Sequence, residues 1–167
     1  QPIRGNRWRT SELDSTGELL AGAGLNPTEP AGATWSPIDV PPVGWIPQDD
    51  GRITLGAAVP LGVLQARTAE FVAAITAPVV VTPWRSLLIC DLEEGIADTS
   101  LRVLAPMGLI FDEHSPWLSI SSCTGSPGCA KSLSDVRSDA AAAAESGEPG
   151  GRRHFVGCER ACGSPAV

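Results

Sequence analysis

The chain has 167 residues, 43% of them hydrophobic, and a net charge of −7. That length allows one ample domain or two small ones, and the acidic balance argues against a general nucleic-acid binder. No run approaches the roughly 20 apolar residues of a membrane span, and the polar, basic first residues do not form a secretory signal. The composition therefore predicts a globular, cytoplasmic protein with neither a nucleic acid nor a membrane as partner.

The first part of the chain predicts a short helix and a connector. The helical segment covers 10–25, and Ser11 is placed to cap it. A proline-rich stretch, 26–48, follows without any hydrophobic period. We expect this connector to lie against the protein surface because Trp35 and Trp45 need burial.

Between residues 51 and 113, strand-like and helix-like segments alternate. Runs of β-branched and apolar residues predict strands, and apolar residues three and four apart predict helices. In chain order the segments are a strand at 51–62, a helix at 65–75, a strand at 77–92 with Pro83 at a bulge or edge, a helix at 98–108 capped by Asp98, and a strand at 109–113. This β-α-β-α-β order predicts an α+β fold with helices on one face of a sheet.

The last region, 114–167, holds four of the five cysteines in two close pairs, Cys123 with Cys129 and Cys158 with Cys162. An Ala-rich helix at 130–145 and a strand at 153–156 are predicted between the pairs. Cysteines in a cytosolic chain favour metal or redox chemistry over structural disulfides. The fifth, Cys90, lies in an apolar run and is interpreted as a small buried hydrophobe.

Four thiolates can bind zinc or an iron–sulfur cluster. The first pair is separated by five residues and the second by three. Zinc ligands usually lie two to four residues apart, whereas a cubane cluster is larger than a single ion and accepts the wider spacing. Gly125, Gly128, Gly157 and Gly163 would let the backbone approach the inorganic sulfides. The spacing favours a cluster over zinc, and unliganded thiols or a disulfide remain the third alternative.

The two cysteine motifs, C-T-G-x3-C and G-C-x3-C-G, together resemble the cluster-binding signature of the nitrite and sulfite reductase family. The stretches "GWIPQDDGRITLGAAVPLG" and "VVVTPWRSLLI" are similar to the ferredoxin-like half-domain that precedes the cluster in that family. The resemblance implies a tail of a preceding segment at 1–43, a ferredoxin-like half-domain at 44–113 and a truncated cluster-binding region at 114–167.

The same resemblance implies cofactors. It implies a 4Fe-4S cluster held by Cys123, Cys129, Cys158 and Cys162, and in the reductases the last of these cysteines also bridges to the iron of sirohaem. Family enzymes consist of two related halves, and this chain resembles the later one. We therefore expect the missing N-terminal half of the enzyme to be a partner, and the isolated chain to bind a cluster weakly.

Residues 82–85, Thr-Pro-Trp-Arg, depart from the Thr-x-Asn-Gln type of stretch in the reductases. With "GCERACGSP", they resemble the precorrin-3B synthase branch of the family. Those enzymes use oxygen and an external electron donor to hydroxylate C20 of precorrin-3A and form a γ-lactone in aerobic cobalamin biosynthesis. The resemblance implies a monooxygenase and argues against sirohaem. The alternatives are a nitrite or sulfite reductase fragment and a structural zinc module.

A modified tetrapyrrole is a flat polyanion, so its pocket needs cations around an apolar slot. Arg85 is the first candidate for substrate binding, followed by Lys131 and Arg137. Because Lys131 and Arg137 lie six positions apart, at most one is expected to face the pocket. Arg152 and Arg153 are interpreted as solvated residues of a glycine-rich loop.

A mononuclear iron beside the substrate is a further cofactor hypothesis. His114 would need His154 to complete a site of two histidines and one carboxylate. A plain loop histidine is the preferred interpretation of His114. The sequence identifies no catalytic residue.

Overall fold

The computed structural model describes residues 16–25, 41–147 and 151–164. The chain divides into two compact units, Gln1–Pro37 and Ile38–Val167. In the first unit, helix α1 spans Thr16–Gly22, within the predicted segment 10–25. The Ser11 cap and the connector residues up to 40, with Trp35, lie outside the described residues.

The second unit is built on a four-stranded antiparallel sheet with the strand order β1-β2-β4-β3. The strands are β1 (Gly44–Pro47), β2 (Ile53–Ala58), β3 (Val79–Val81) and β4 (Ser86–Leu92). Helix α2 (Ala66–Ala74) lies between β2 and β3 in the chain, and helix α3 (Glu94–Leu104) follows β4.

The core of this unit lies between the two central strands and the helices. Leu55 on β2 is paired with Ile89 on β4, and both side chains are fully buried. Leu104 at the end of α3 packs in the same cluster. Burying each such side chain stabilises the fold by about 1.5–3 kcal/mol, so these contacts fix the sheet against its helices.

The observed element order is β-β-α-β-β-α rather than the predicted β-α-β-α-β. Strand β1 was assigned to the connector, and its Trp45 remains 40% exposed, contrary to the expectation of burial. The predicted strand 109–113 contributes only one isolated bridge, between Ala58 and Ile110.

The predicted strand 77–92 is in fact a hairpin, because residues 82–85 form a tight turn between β3 and β4. The Thr82 amide donates to the Ser86 carbonyl at 2.9 Å, and the two hydroxyls lie 2.6 Å apart. Pro83 lacks an amide hydrogen and Arg85 adopts a left-handed conformation (φ 57°). This closes the turn and places Pro83 outside the strands.

Helix α3 begins four residues before the predicted start. Glu93, not Asp98, occupies the position before its first turn, without a side-chain cap. Asp98 lies inside the helix and pairs with Arg102 one turn later at 3.0 Å, a favourable spacing for opposite charges. The prediction that Asp98 caps this helix is therefore wrong, and Asp98 is an ion-pair partner within it.

A smaller layer follows the main sheet. Strands β5 (Ile120–Ser122) and β6 (Arg153–Phe155) pair in parallel and are covered by helix α4 (Val136–Glu145). Asp135 caps α4 by accepting the amide of Ser138 at 3.2 Å, so the helix starts six residues after the predicted boundary of 130. The α+β class is confirmed. In the described parts of the chain, no helix combines the length and apolarity needed to cross a bilayer.

Candidate functional site

A cationic cavity of about 340 Å³ opens where the β3–β4 turn meets the smaller layer. We call it the arginine pocket, because Arg85, Arg152 and Arg153 line it. Its other walls include His154, Ser121, Trp84, Leu118, Pro41 and Gly163. Among the described residues, no Asp or Glu lines it, so its charge favours an anionic ligand.

The β3–β4 turn presents Arg85 to this pocket. One guanidinium nitrogen, Nη1, donates to the buried carbonyl of Ile120 on β5 at 3.2 Å. Partial desolvation, and secondarily the positive charge of Arg152, lower the pKa of Arg85 from its ordinary value. An anion placed between the two cations would relieve their repulsion.

Strand β6 supplies the other cationic wall. The Arg153 side chain reaches across to α4, where Nη2 donates to the Ala143 carbonyl at 3.4 Å. Its Nε is buried and has no hydrogen-bond partner among the described residues. The Arg153 guanidinium is therefore held against α4, and its Nε is closed to solvent.

The cysteines lie on two loops at the same edge of the small sheet. The first cysteine loop, 123–129, follows β5, and the second cysteine loop, 158–162, comes shortly after β6. Because β5 and β6 are parallel, their carboxyl ends meet at one edge, which is where ligand crevices form in such sheets.

Two backbone hydrogen bonds connect these segments. The Cys123 amide donates to the Phe155 carbonyl, and the Leu133 amide donates to the Gly157 carbonyl, both at 2.9 Å. Gly157 is buried there, and a Cβ at this position would collide with the side chain of Ser132. The close approach explains why glycine precedes Cys158.

All four loop thiols are free, and Cys162 is the exposed one, while the other three are partly buried. Within the described ranges, no three Cys, His, Asp or Glu side chains form a group that could hold a metal ion. Among these residues, the thiols are therefore not gathered as a ready-made ligand set, either for a zinc ion or for a cluster. The donor set, four thiols on adjoining loops, fits a larger iron–sulfur cluster in kind.

The site residues expected from sequence fall in different places. Arg85 lines the arginine pocket, whereas Arg137 lines a separate, largely apolar cavity of about 370 Å³ with Leu61 and Met107. Lys131 is exposed and lines neither cavity. The structure does not bring these three side chains into one pocket.

Sequence reasoning gave too little weight to Arg152 and Arg153, which line the pocket, and did not place His154 there. Their position in the sequence could have identified the two arginines. Arg152 directly precedes β6, and Arg153 begins this strand, which leads to Cys158. The mononuclear iron hypothesis receives no support. His114 is exposed beside Glu113 at 3.7 Å, and both ring nitrogens of His154 already have protein partners.

Comparison with known proteins gives one informative result. No protein-family model matches the chain, and no curated protein sequence matches it significantly. The solved structure of the Mycobacterium tuberculosis NirA protein matches with a TM-score of 0.62 and 19% sequence identity. The match covers 76% of this chain and 27% of the NirA chain, so the chain spans about a quarter of that protein's length. The likeness shows that the two chains share a fold over the matched residues.

Proposed function

We propose that the chain is a redox domain of the nitrite and sulfite reductase type, which binds an acidic tetrapyrrole in the arginine pocket and a 4Fe-4S cluster on the two cysteine loops. One observation carries the proposal. The arginine pocket and the second cysteine loop adjoin, because Gly163 lines the pocket immediately after Cys162. The likeness to the NirA structure supports the fold that this proposal requires.

The pocket offers the two kinds of surface that a carboxylate-fringed ring needs. Trp84 and Leu118 provide an apolar wall, and the guanidinium groups of Arg85 and Arg152 would donate charge-assisted hydrogen bonds to carboxylates. A cavity of about 340 Å³ encloses one side of a macrocycle.

The cluster would be held by four cysteines, Cys123, Cys129, Cys158 and Cys162. When bound, it would pass single electrons between an external donor and the ligand beside it. The chain's own residues position the partners. The Gly157–Leu133 hydrogen bond fixes one side of the cysteine loops, and the pocket cations orient and neutralise the anionic ligand. The proposed activity is that of an oxidoreductase.

Precorrin-3B synthase activity is the second candidate, and a specific observation favours it. Pro83, Trp84 and Arg85 all line the arginine pocket, so the stretch that departs from the reductase pattern lies at the proposed ligand site. In this case the tetrapyrrole, precorrin-3A, is the substrate and molecular oxygen the oxidant. If the protein is instead a reductase, the tetrapyrrole is a cofactor, sirohaem.

Binding of uroporphyrin, a porphyrin with eight carboxylates, tests the pocket directly. Fluorescence titration compares the native chain with Arg85→Gln and Arg152→Gln. Each loss of a cation that binds a carboxylate is expected to weaken binding about tenfold or more. Arg102→Gln is the matched control, because Arg102 is an exposed arginine on α3 paired with Asp98 and does not line the pocket. Equal affinities in all four proteins would refute the assignment.

The absorption spectrum of the anaerobically purified protein separates the two candidates. Haem-like Soret and red bands would select the reductase with sirohaem. Cluster absorption without those bands would select the synthase and justify an oxygen-dependent assay with precorrin-3A.

A further inference from the structure

We propose that His154 is a positioning residue that holds the second cysteine loop against the arginine pocket. His154 lies in the middle of β6 and lines the pocket. Its Nδ1 lies 2.8 Å from the Ser121 hydroxyl on β5, and its Nε2 lies 2.9 Å from the Cys162 carbonyl. One side chain therefore connects the strand pair, the pocket and the last cysteine.

The chemistry of the partners fixes the roles of the two ring nitrogens. A carbonyl oxygen can only accept, so the proton lies on Nε2 and is donated to Cys162. In a neutral imidazole Nδ1 is then an acceptor for the Ser121 hydroxyl, whose oxygen lies 2.8 Å from Nδ1 and 3.4 Å from the Arg153 carbonyl. The Cys162 carbonyl thus selects the tautomer, and the Ser121 hydroxyl, which can donate to Nδ1, holds the ring in the orientation that reaches the loop.

The backbone of the loop is shaped around this contact. Gly163 adopts φ +82°, and a Cβ there would lie 3.3 Å from the imidazole Cε1, so the chain passes close to the imidazole ring. Ala161 also has a positive φ of 45°, which non-glycine residues rarely adopt. The surrounding contacts must maintain that conformation, and the His154 hydrogen bond is one of them.

The two ends of the loop are held differently. The residue before Cys158, Gly157, is buried and hydrogen-bonded to Leu133. Cys162 is exposed, and its carbonyl is held by His154. Loss of the imidazole should therefore loosen the Cys162 end of the loop selectively, while the Cys158 end and the main sheet keep their contacts.

The importance of this residue for a cluster rests on the proposed function, whereas its effect on the loop does not. Amide hydrogen exchange on the reduced, cluster-free chain therefore tests the loop by itself. Two substitutions at His154 separate the contact to Cys162 from the contact to Ser121. His154→Gln places an amide near the Nε2 position and can still donate to Cys162, whereas His154→Asn reaches only as far as Nδ1 and Ser121.

The expected result is an approximately fivefold faster exchange of the 158–164 amides in His154→Asn, the factor for one ordinary hydrogen bond. The conservative His154→Gln should stay within about twofold of the native chain. A β2–β4 peptide is the internal control and should not change. Equal exchange in all three proteins, or equal acceleration in both variants, would overturn the proposal.

Ser121→Ala is the second variant, used if a substitution at 154 also speeds exchange in the control peptide. It keeps the imidazole and removes the hydroxyl that orients it, so the 158–164 amides should again exchange faster. An unchanged rate would overturn the proposal. Iron uptake by the same proteins distinguishes failure of the proposed cluster from failure of the positioning role. Fast exchange in His154→Asn without iron binding by any chain would refute the cluster alone, and iron binding with unchanged exchange would refute the positioning role.

Discussion

Gly56→Ala tests the packing that forms one wall of the arginine pocket. Gly56 lies on central strand β2, opposite Gly44. A Cβ at this position would lie 2.5 Å from the Pro42 carbonyl oxygen and 2.9 Å from the Val43 Cα. Both neighbours are backbone atoms, so no side-chain rotation can relieve the overlap.

The size of the effect follows from that overlap. The nearest contact is about 0.9 Å short of the 3.4 Å at which ordinary van der Waals contact begins. Overpacking of this kind costs about 1–3 kcal/mol, and the separation of two backbone segments belongs at the upper end. The lower entropy of the unfolded Ala chain returns about 0.4–1 kcal/mol. We expect a net loss of about 2 kcal/mol, or roughly 8 °C in Tm for a unit of this size.

Urea unfolding followed by circular dichroism measures this difference, and Gly95→Ala is the matched control. Gly95 lies in α3 with nothing within 4 Å of the added Cβ, so alanine there should stabilise the protein by about 0.5 kcal/mol. Because Pro41 lines the pocket next to Pro42, Gly56→Ala should also weaken uroporphyrin binding. A Gly56→Ala protein as stable as the native one would refute the packing described for β2.

Two further predictions concern the site. Raising NaCl from about 0.05 to 0.5 M should weaken uroporphyrin binding several-fold, because salt screens the arginine–carboxylate attraction. Titrations at the two salt concentrations measure this change, and an affinity independent of salt would contradict an ionic pocket. Cys162→Ser should lower the iron content of the anaerobically reconstituted protein, whereas Cys90→Ser, a change in β4 outside the loops, should not; equal losses in a colorimetric iron assay would argue against a specific ligand role.

Local patterns predicted the parts of the fold that depend on neighbouring residues. Helix α2, Ala66–Ala74, lies within the predicted 65–75, because its apolar spacing is regular and Pro60 and Gly62 precede it. The β3–β4 hairpin was missed because its turn contains no glycine or asparagine. Arg85 supplies the left-handed residue instead, and propensity alone does not predict that.

The candidate site depended on contacts that the sequence does not display. Arg85 was recognised because an arginine beside a tryptophan in a β-rich stretch is seldom fully solvated. Arg153 and His154 were not placed in the pocket, because the parallel pairing of β6 with β5 joins residues more than 30 positions apart. The same parallel pairing brings Cys123 and Cys158 to one edge of the small sheet. Their spacing in the sequence alone predicted a shared ligand but not this arrangement.

The central claim is that the two cysteine loops hold a 4Fe-4S cluster beside the arginine pocket. The most direct test is an assay of iron and acid-labile sulfide, with an absorption spectrum, on the anaerobically reconstituted protein. The account predicts four irons and four sulfides per chain. Zinc as the sole bound metal would contradict it and leave a structural module.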